Sequence, residues 1–322
     1  MNRLKEIEEE IRRYDKILLI SHMSPEGDAI GSQLGLSRAL RHRGKETILA
    51  NQDGLPQNLE FLKGSKSIRR PKGIRGELDE YKLCIALDCG SLDRIGDELI
   101  EMIEDKYLIN IDHHEDNTRF GDLNYVEKRS STAEIVLKLL EHAGIKIDHH
   151  LATILYTGII ADTDSFRNDN VTPETFRSSS SLIELGANSR QVSINLYESN
   201  PFPKLKLLGR VLGISKYEEG IVWSKITKEL LKKTDTGMED TEGIITKLRS
   251  TKGAKAVFLL KEIGEDKVKV SLRAKQDIDV SKIAREFGGG GHEKAAGFVL
   301  EEDLDRAEKR VLEKLKEITE DD

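Results

Sequence analysis

Apolar residues in the first half of the chain fall into short continuous runs separated by longer stretches with helical spacing. The runs at 16–21, 46–51, 83–88 and 106–112 are too short for helices and apolar enough to be buried on both faces, so they are read as strands. Between the first two, Ile30, Leu34, Leu36 and Leu40 recur at helical intervals over 29–43, and Gly44 supplies a left-handed stop. Further helices are expected at 132–142 and 151–161, with another beginning after Pro173. Strands alternating with helices predict an α/β domain: a parallel sheet with crossover helices on both faces.

The pattern changes after Gly186. Asn200, Pro201, Phe202 and Pro203 read as a turn or connector, and strands are expected at 254–263 and 267–274. A helix at 280–287, the glycine run 288–291, a strand at 296–300 and an amphipathic helix from Leu304 complete the chain. This is a smaller mixed α/β domain, which gives domains at 1–186 and 206–322 with a linker at 187–205. A length of 322 residues agrees with two cores.

Composition narrows the function classes. With 34% charged residues and no apolar run near the ~18 residues of a membrane span, a cytoplasmic protein without membrane contact is expected. The opening stretch is charged and helix-forming, unlike a secretion signal. Cys84 and Cys89 sit on an apolar segment and read as packing residues. A net charge of −7 argues against coating long nucleic acid, which needs a broad basic face, but leaves room for a small anionic ligand.

Four segments place acidic and imidazole side chains just after apolar strands or at a helix end, where open α/β sheets put their sites. His22, Glu26 and Asp28 surround a turn forced by Pro25 and Gly27. Asp88 ends a strand so apolar that a buried carboxylate there calls for a cation. Asp112, His113 and His114 follow another strand, and Asp162 ends an apolar helix. Mixed carboxylate and imidazole donors suit manganese, magnesium or iron better than structural zinc. A second Asp-His-His, at Asp148, His149 and His150, opens a new helix and is read as an N-cap with two first-turn histidines.

Taken together, these segments resemble the DHH family of phosphoesterases, named for the motif that stands here as Asp112, His113 and His114. The stretch from Phe287 through the glycines to His292 and Gly297 is similar to the signature of the DHH-associated domain found in nano-RNases and RecJ-like exonucleases. The resemblance implies two divalent cations, manganese first, with magnesium or cobalt as substitutes. One would be held by His22, Glu26 and Asp88, the other by Asp28, Asp88, His113 and Asp162. It also implies that His114 meets the scissile phosphate or leaving oxygen and that Asp112 orients an imidazole. Glu26 stands where the family usually has Asp, which puts the first cation's geometry in question.

In the C-terminal domain the resemblance implies substrate contacts at Arg273, Gly289, Gly290, Gly291 and His292, with Arg249 and Lys294 as weaker candidates. Glycines let backbone N–H groups approach a phosphate, and an arginine can clamp one bidentately. The activity implied is hydrolysis of oligoribonucleotides about two to five nucleotides long to nucleoside 5′-monophosphates, together with 3′-phosphoadenosine 5′-phosphate to AMP. Linear or cyclic di-adenylates are the alternative substrates. A nucleotide-binding regulator impaired in catalysis is the alternative outside enzymes, and a homodimer is a further expectation.

Overall fold

A computed structural model describes residues 2–275 and 278–319, apart from the side chains of Asn2 and His292. The chain divides into two compact units, Met1–Ser199 and Asn200–Asp322. The stretch 187–205, expected as a linker, is helical over much of its length.

The first unit is built on a six-stranded parallel sheet of β1 (Lys16–Ile20), β2 (Glu46–Ala50), β3 (Ile68–Arg69), β4 (Leu83–Leu87), β5 (Tyr107–Asp112) and β6 (Leu123–Val126). Their order is β3-β2-β1-β4-β5-β6, so the four strands expected from the sequence form its centre and β3 and β6 are added at the edges. Every residue of β4 is buried, as continuous apolar composition requires.

The helices of this unit are α1 (Asn2–Arg12), α2 (Gly27–His42), α3 (Asp97–Ile103), α4 (Thr132–His142), α5 (His149–Asp162), α6 (Pro173–Glu184) and α7 (Ser189–Ser193). One sheet face packs Ile17, Leu19, Ile85 and Ile109 against side chains of α1, α2, α4 and α5. The other packs Leu18, Ile20, Cys84 and Ala86 against Leu99 and Ile103 of α3 and the apolar loop residues Ile74, Leu78 and Tyr81. Asp148 caps α5 by accepting from the Leu151 N–H at 2.8 Å, and Arg38 grips the same carboxylate.

A glycine on every fourth position of α2 brings α5 unusually close. A Cβ on Gly27 would stand 2.4 Å from the Ala161 Cβ, one on Gly31 2.9 Å from the Ile154 carbonyl oxygen, and one on Gly35 2.6 Å from Leu155. Gly27 meets the end of α5 and Gly35 its beginning, so the two helices run antiparallel. That direction sets the start of α2, with Asp28, beside the end of α5, with Asp162.

The second unit comprises α8 (Phe202–Gly213), β7 (Lys216–Glu218), β8 (Ile221–Ile226), α9 (Lys228–Thr234), α10 (Ile244–Arg249), β9 (Ala256–Gly264), β10 (Lys267–Ala274), α11 (Val280–Glu286), β11 (Gly290–His292), β12 (Ala295–Leu300) and α12 (Leu304–Thr319). Its sheet has the order β11-β12-β10-β9-β8-β7, with β8 and β9 parallel and the other pairs antiparallel. Val268, Val270 and Leu272 face α11 and α12. No helix among the described residues is long and apolar enough to cross a membrane.

The glycine contact predicts that Gly31→Ala lowers stability by about 1–3 kcal/mol, because its methyl meets backbone that cannot yield. Gly209→Ala in α8, with nothing within 4 Å, gains about 0.5–1 kcal/mol of helix stability. Thermal denaturation of both variants checks this; equal shifts would remove the glycines as the cause of close packing.

Candidate metal centre

Three adjacent strands deliver the first ligand candidates. His22 lies two residues beyond β1, Asp88 immediately beyond β4, and Asp112 ends β5 with His113 and His114 following. Their carboxyl ends are neighbours in the sheet, so these groups converge without any long loop. Asp88 leaves its strand with φ +57°, a left-handed conformation that an L-residue adopts at a cost, while its N–H still bonds the Ile111 carbonyl at 3.0 Å.

The Asp88 carboxylate stands between two imidazoles. His22 Nε2 is 3.6 Å from Oδ2, and His113 Nε2 is 3.5 Å from Oδ1. Each imidazole is fixed through its other nitrogen: His22 Nδ1 donates to the Met23 carbonyl at 2.7 Å and His113 Nδ1 to the Arg129 carbonyl at 3.2 Å. With the rings neutral, as binding a cation requires, each Nε2 turns its free lone pair toward a different oxygen of this one carboxylate. His113 Nε2 is buried with no hydrogen-bond partner among the described residues. An ion with bonds of about 2.0–2.2 Å sits naturally between nitrogen and oxygen atoms at this separation.

Asp112, His113 and His114 together with Asp88 offer ligand atoms within 4.8 Å of one another. Asp112 is fully buried and accepts from His114 Nδ1 at 2.8 Å and from Asn117 at 2.6 Å. It is therefore the His114 ring that Asp112 orients. Asp162 approaches His113 Nε2 at 3.8 Å and is steadied by Asn170, whose Nδ2 donates to its Oδ2 at 2.9 Å.

Asp28 makes contacts that the sequence did not disclose. Its two oxygens accept the backbone N–H groups of Thr132 at 2.6 Å and Ala133 at 2.8 Å, at the positive end of α4. The Thr132 hydroxyl donates to Asp88 at 3.1 Å, so one residue ties both carboxylates together. Glu26 occupies the exposed N-cap position of α2, and its charge adds to the negative field at Asp162.

Four buried or half-buried aspartates outnumber three imidazoles here, and protons carry the deficit. Burial alone pulls the His113 proton affinity down, but the surrounding Asp88, Asp162, Asp28 and Asp112 carboxylates outweigh it and raise its pKa to about 9. Burial, with the Asp88 charge, raises Asp162 to about 6 and likewise raises Asp28 well above the ordinary carboxylate range. Asp88 is held low: burial pushes its pKa up, yet the three histidines around it prevail. A site that gathers protons this way is one a divalent cation fits.

The remaining expected residues lie in the second unit. Arg273 is on β10, and Gly290 and Gly291 are in the edge strand β11, paired with Gly297 and Ala296. The run expected to cradle a phosphate thus forms sheet over part of its length, and a Cβ on Gly289 would stand 2.3 Å from the Gly297 carbonyl. The His292 side chain lies outside the described residues. Arg249 ends α10, and Lys294 donates to the Ile278 carbonyl at 3.3 Å. Thr132, Asn117 and Asn170 were not singled out from the sequence; only Thr132 carried a signal, as the start of a helix after two serines.

Comparisons with known proteins place the chain among its relatives. The model for the DHH family, N-terminal domain, matches residues 16–159, and that for the DHHA1 domain matches residues 221–321. A bifunctional oligoribonuclease and PAP phosphatase NrnA from Thermus thermophilus is 35% identical over 305 residues, spanning 94% of this chain and 89% of the relative. The protein of that name from Bacillus subtilis is 31% identical over 294 residues, spanning 89% and 90%. A crystal structure of an exopolyphosphatase-related protein from Bacteroides fragilis matches with a TM-score of 0.93 at 28% identity, covering 99% of this chain and 96% of that one. The chain belongs to the DHH family.

The proton balance has a measurable consequence. His113 has a folded pKa of about 9 against an ordinary 6.5, so its stabilising charge is complete below pH 6.5 and is lost as pH rises through 9. Asp162, raised to about 6, acts in the same direction lower on the scale. In EDTA the melting temperature is expected to fall across that upper window, while manganese chloride raises it increasingly and releases protons on binding. A metal-free melting temperature that climbs with pH there would contradict this balance.

Proposed function

We propose that this chain hydrolyses very short oligoribonucleotides to nucleoside 5′-monophosphates and converts 3′-phosphoadenosine 5′-phosphate to AMP. The observation that carries this reading is the Asp88 carboxylate presented to two imidazoles, one at each oxygen, in a chain whose relatives at 35% and 31% identity bear those two activities in their names. Both reactions break a P–O bond at a ribose 3′ oxygen, so one site serves both.

In this reading His22, Glu26 and Asp88 hold one divalent cation, and Asp28, Asp88, His113 and Asp162 hold another. Manganese is our choice because carboxylate and imidazole donors are mixed. When bound, such a pair supplies Lewis acidity and hydroxide near neutral pH. The chain's own part is positional. Asp112 accepts from His114 Nδ1 and so turns Nε2 toward the scissile phosphate, where a protonated ring gives its proton to the departing 3′ oxygen. The Asp112 carboxylate, acting against burial, raises the His114 pKa and keeps that proton available. The Asn170 and Thr132 contacts hold the Asp162 and Asp88 carboxylates in place. The same reading places the protein in the cytoplasm as a homodimer acting on short substrates, with no role on long duplexes.

With manganese, wild-type protein is expected to turn over pApA and 3′-phosphoadenosine 5′-phosphate. Asp88→Asn should lose on the order of a thousandfold in kcat while keeping a cooperative melt, and Asp112→Asn about 10- to 100-fold. Near-normal rates for Asp88→Asn would overturn the mechanism. Turnover of cyclic di-AMP with pApA left intact would shift the substrate to the cyclic messenger.

Glu26→Asp tests the remaining reading. A shorter carboxylate should alter manganese affinity without creating an activity that the wild type lacks. An inert wild type made active by Glu26→Asp would instead identify a nucleotide-binding regulator.

A further inference from the structure

The turn that leads into α4 serves the metal centre more than once. The Arg129 carbonyl accepts from His113 Nδ1 at 3.2 Å, and the Ser130 carbonyl accepts at 2.8 Å from Asn170 Nδ2, which also donates to Asp162 at 2.9 Å. The N–H groups of Thr132 and Ala133 bond the two oxygens of Asp28, and the Thr132 hydroxyl bonds Asp88. Residues 129–133 therefore touch Asp28, Asp88 and His113 directly and Asp162 through Asn170. Those four are the set read above as holding one cation. His22, on the other side of Asp88, is fixed elsewhere, on the Met23 carbonyl, and the Met23 N–H bonds the Arg94 carbonyl at 2.7 Å.

Glu134 is what holds that turn. Ser131, Thr132, Ala133 and Glu134 spell the signature of a capping box, in which the glutamate would reach back to the N–H of the N-cap Ser131. Ser131 follows the pattern, its hydroxyl accepting the Glu134 N–H at 3.2 Å. The Glu134 carboxylate instead goes one residue further, where Oε2 accepts both the N–H and the hydroxyl of Ser130, at 3.2 and 2.7 Å. Oε1 accepts from Arg129 at 3.3 Å and from the Ser178 hydroxyl of α6 at 3.2 Å.

Glu134 is 2% exposed, and Ser130, Ser131 and Thr132 are wholly buried. A charged group is costly to bury unless it is paired and hydrogen-bonded, and these donors engage both oxygens of the carboxylate. An exposed side chain caps a helix equally well, so capping alone does not account for a buried glutamate aimed past the cap. A rigid turn at 129–132 does.

We propose that Glu134 is a positioning residue for one of the two cations: by clamping the turn from Arg129 to Thr132 it sets Asp28, Asp88, His113 and Asp162 at ligand distance. The proposal rests on the two-cation reading above and deepens it. The cation assigned to His22, Glu26 and Asp88 does not depend on Glu134.

Manganese titration of the metal-free protein tests this by calorimetry, with electron paramagnetic resonance to separate paired from isolated ions. In Glu134→Gln, whose amide cannot accept from all of these donors, one manganese affinity should fall about 10- to 100-fold while the other stays within about twofold. At limiting manganese the spectrum should change from that of a coupled pair to that of an isolated ion, and excess manganese should restore hydrolysis of pApA. Ser130→Ala removes the shortest bond of the clamp, leaves the buried charge paired with Arg129, and should show the same selective loss; it carries the test if Glu134→Gln does not fold. Asp148→Ala, which loosens the far end of α5, should lower the melting temperature and leave both affinities unchanged. Equal weakening of both sites, no weakening, or weakening that tracks the melting temperature in all three variants would overturn the assignment. A wild type that binds two manganese ions, shows the selective loss and hydrolyses nothing would keep Glu134 in this role and remove the catalytic reading.

Discussion

Negative charge without enough positive charge to match it is the constraint around which the first unit is arranged. A carboxylate at the end of a wholly buried strand loses its hydration, and Asp88 is stable there only because His22, His113 and His114 surround it. Asp28 finds a different solution, lodging its oxygens on the backbone N–H groups that open α4. Asp162 has less help and holds its proton to about pH 6. The surplus remaining after these local compensations is what a divalent cation satisfies, so the chemistry of the centre follows from its electrostatics.

The backbone supplies this concentration of like charge by two devices. Parallel strands end side by side, which fixes His22, Asp88 and the Asp112 to His114 segment. The glycine face of α2 then brings the end of α5 against the start of α2, where a single added methyl would meet the Ile154 carbonyl. Thr132 fastens the two groups to each other, bonding Asp28 through its N–H and Asp88 through its hydroxyl.

Much of this was legible in the chain. The four central strands were readable because burial on both faces leaves only apolar residues, whereas β3 has two residues and β6 is half-buried throughout, so neither carries a strong pattern. The DHH membership was readable from motifs whose order along the chain is as informative as their letters. The Asp148 motif was separable from Asp112 because a helix-opening aspartate has its own pattern, and it does cap α5. Other features were hidden. Gly27, Gly31 and Gly35 were visible as residues, but their partner on α5 lies more than a hundred positions away. Asn117 and Asn170 are ordinary loop residues until folding places them on Asp112 and Asp162. In the second half, α8 to α10 and β8 went unread because mixed short elements lack the long periodic signal of the first domain.

The spread of the centre over the first half of the chain bears on how the protein is made. His22 emerges early in synthesis, yet its partners arrive with β4 and β5, and Asp162 leaves the ribosome well over a hundred residues after it. Until α4 has docked, Asp28 lacks the backbone N–H groups of Thr132 and Ala133 and Asp88 lacks the Thr132 hydroxyl. The ion-binding pocket is thus a late product of translation, and early segments wait on later ones before they are electrostatically at rest.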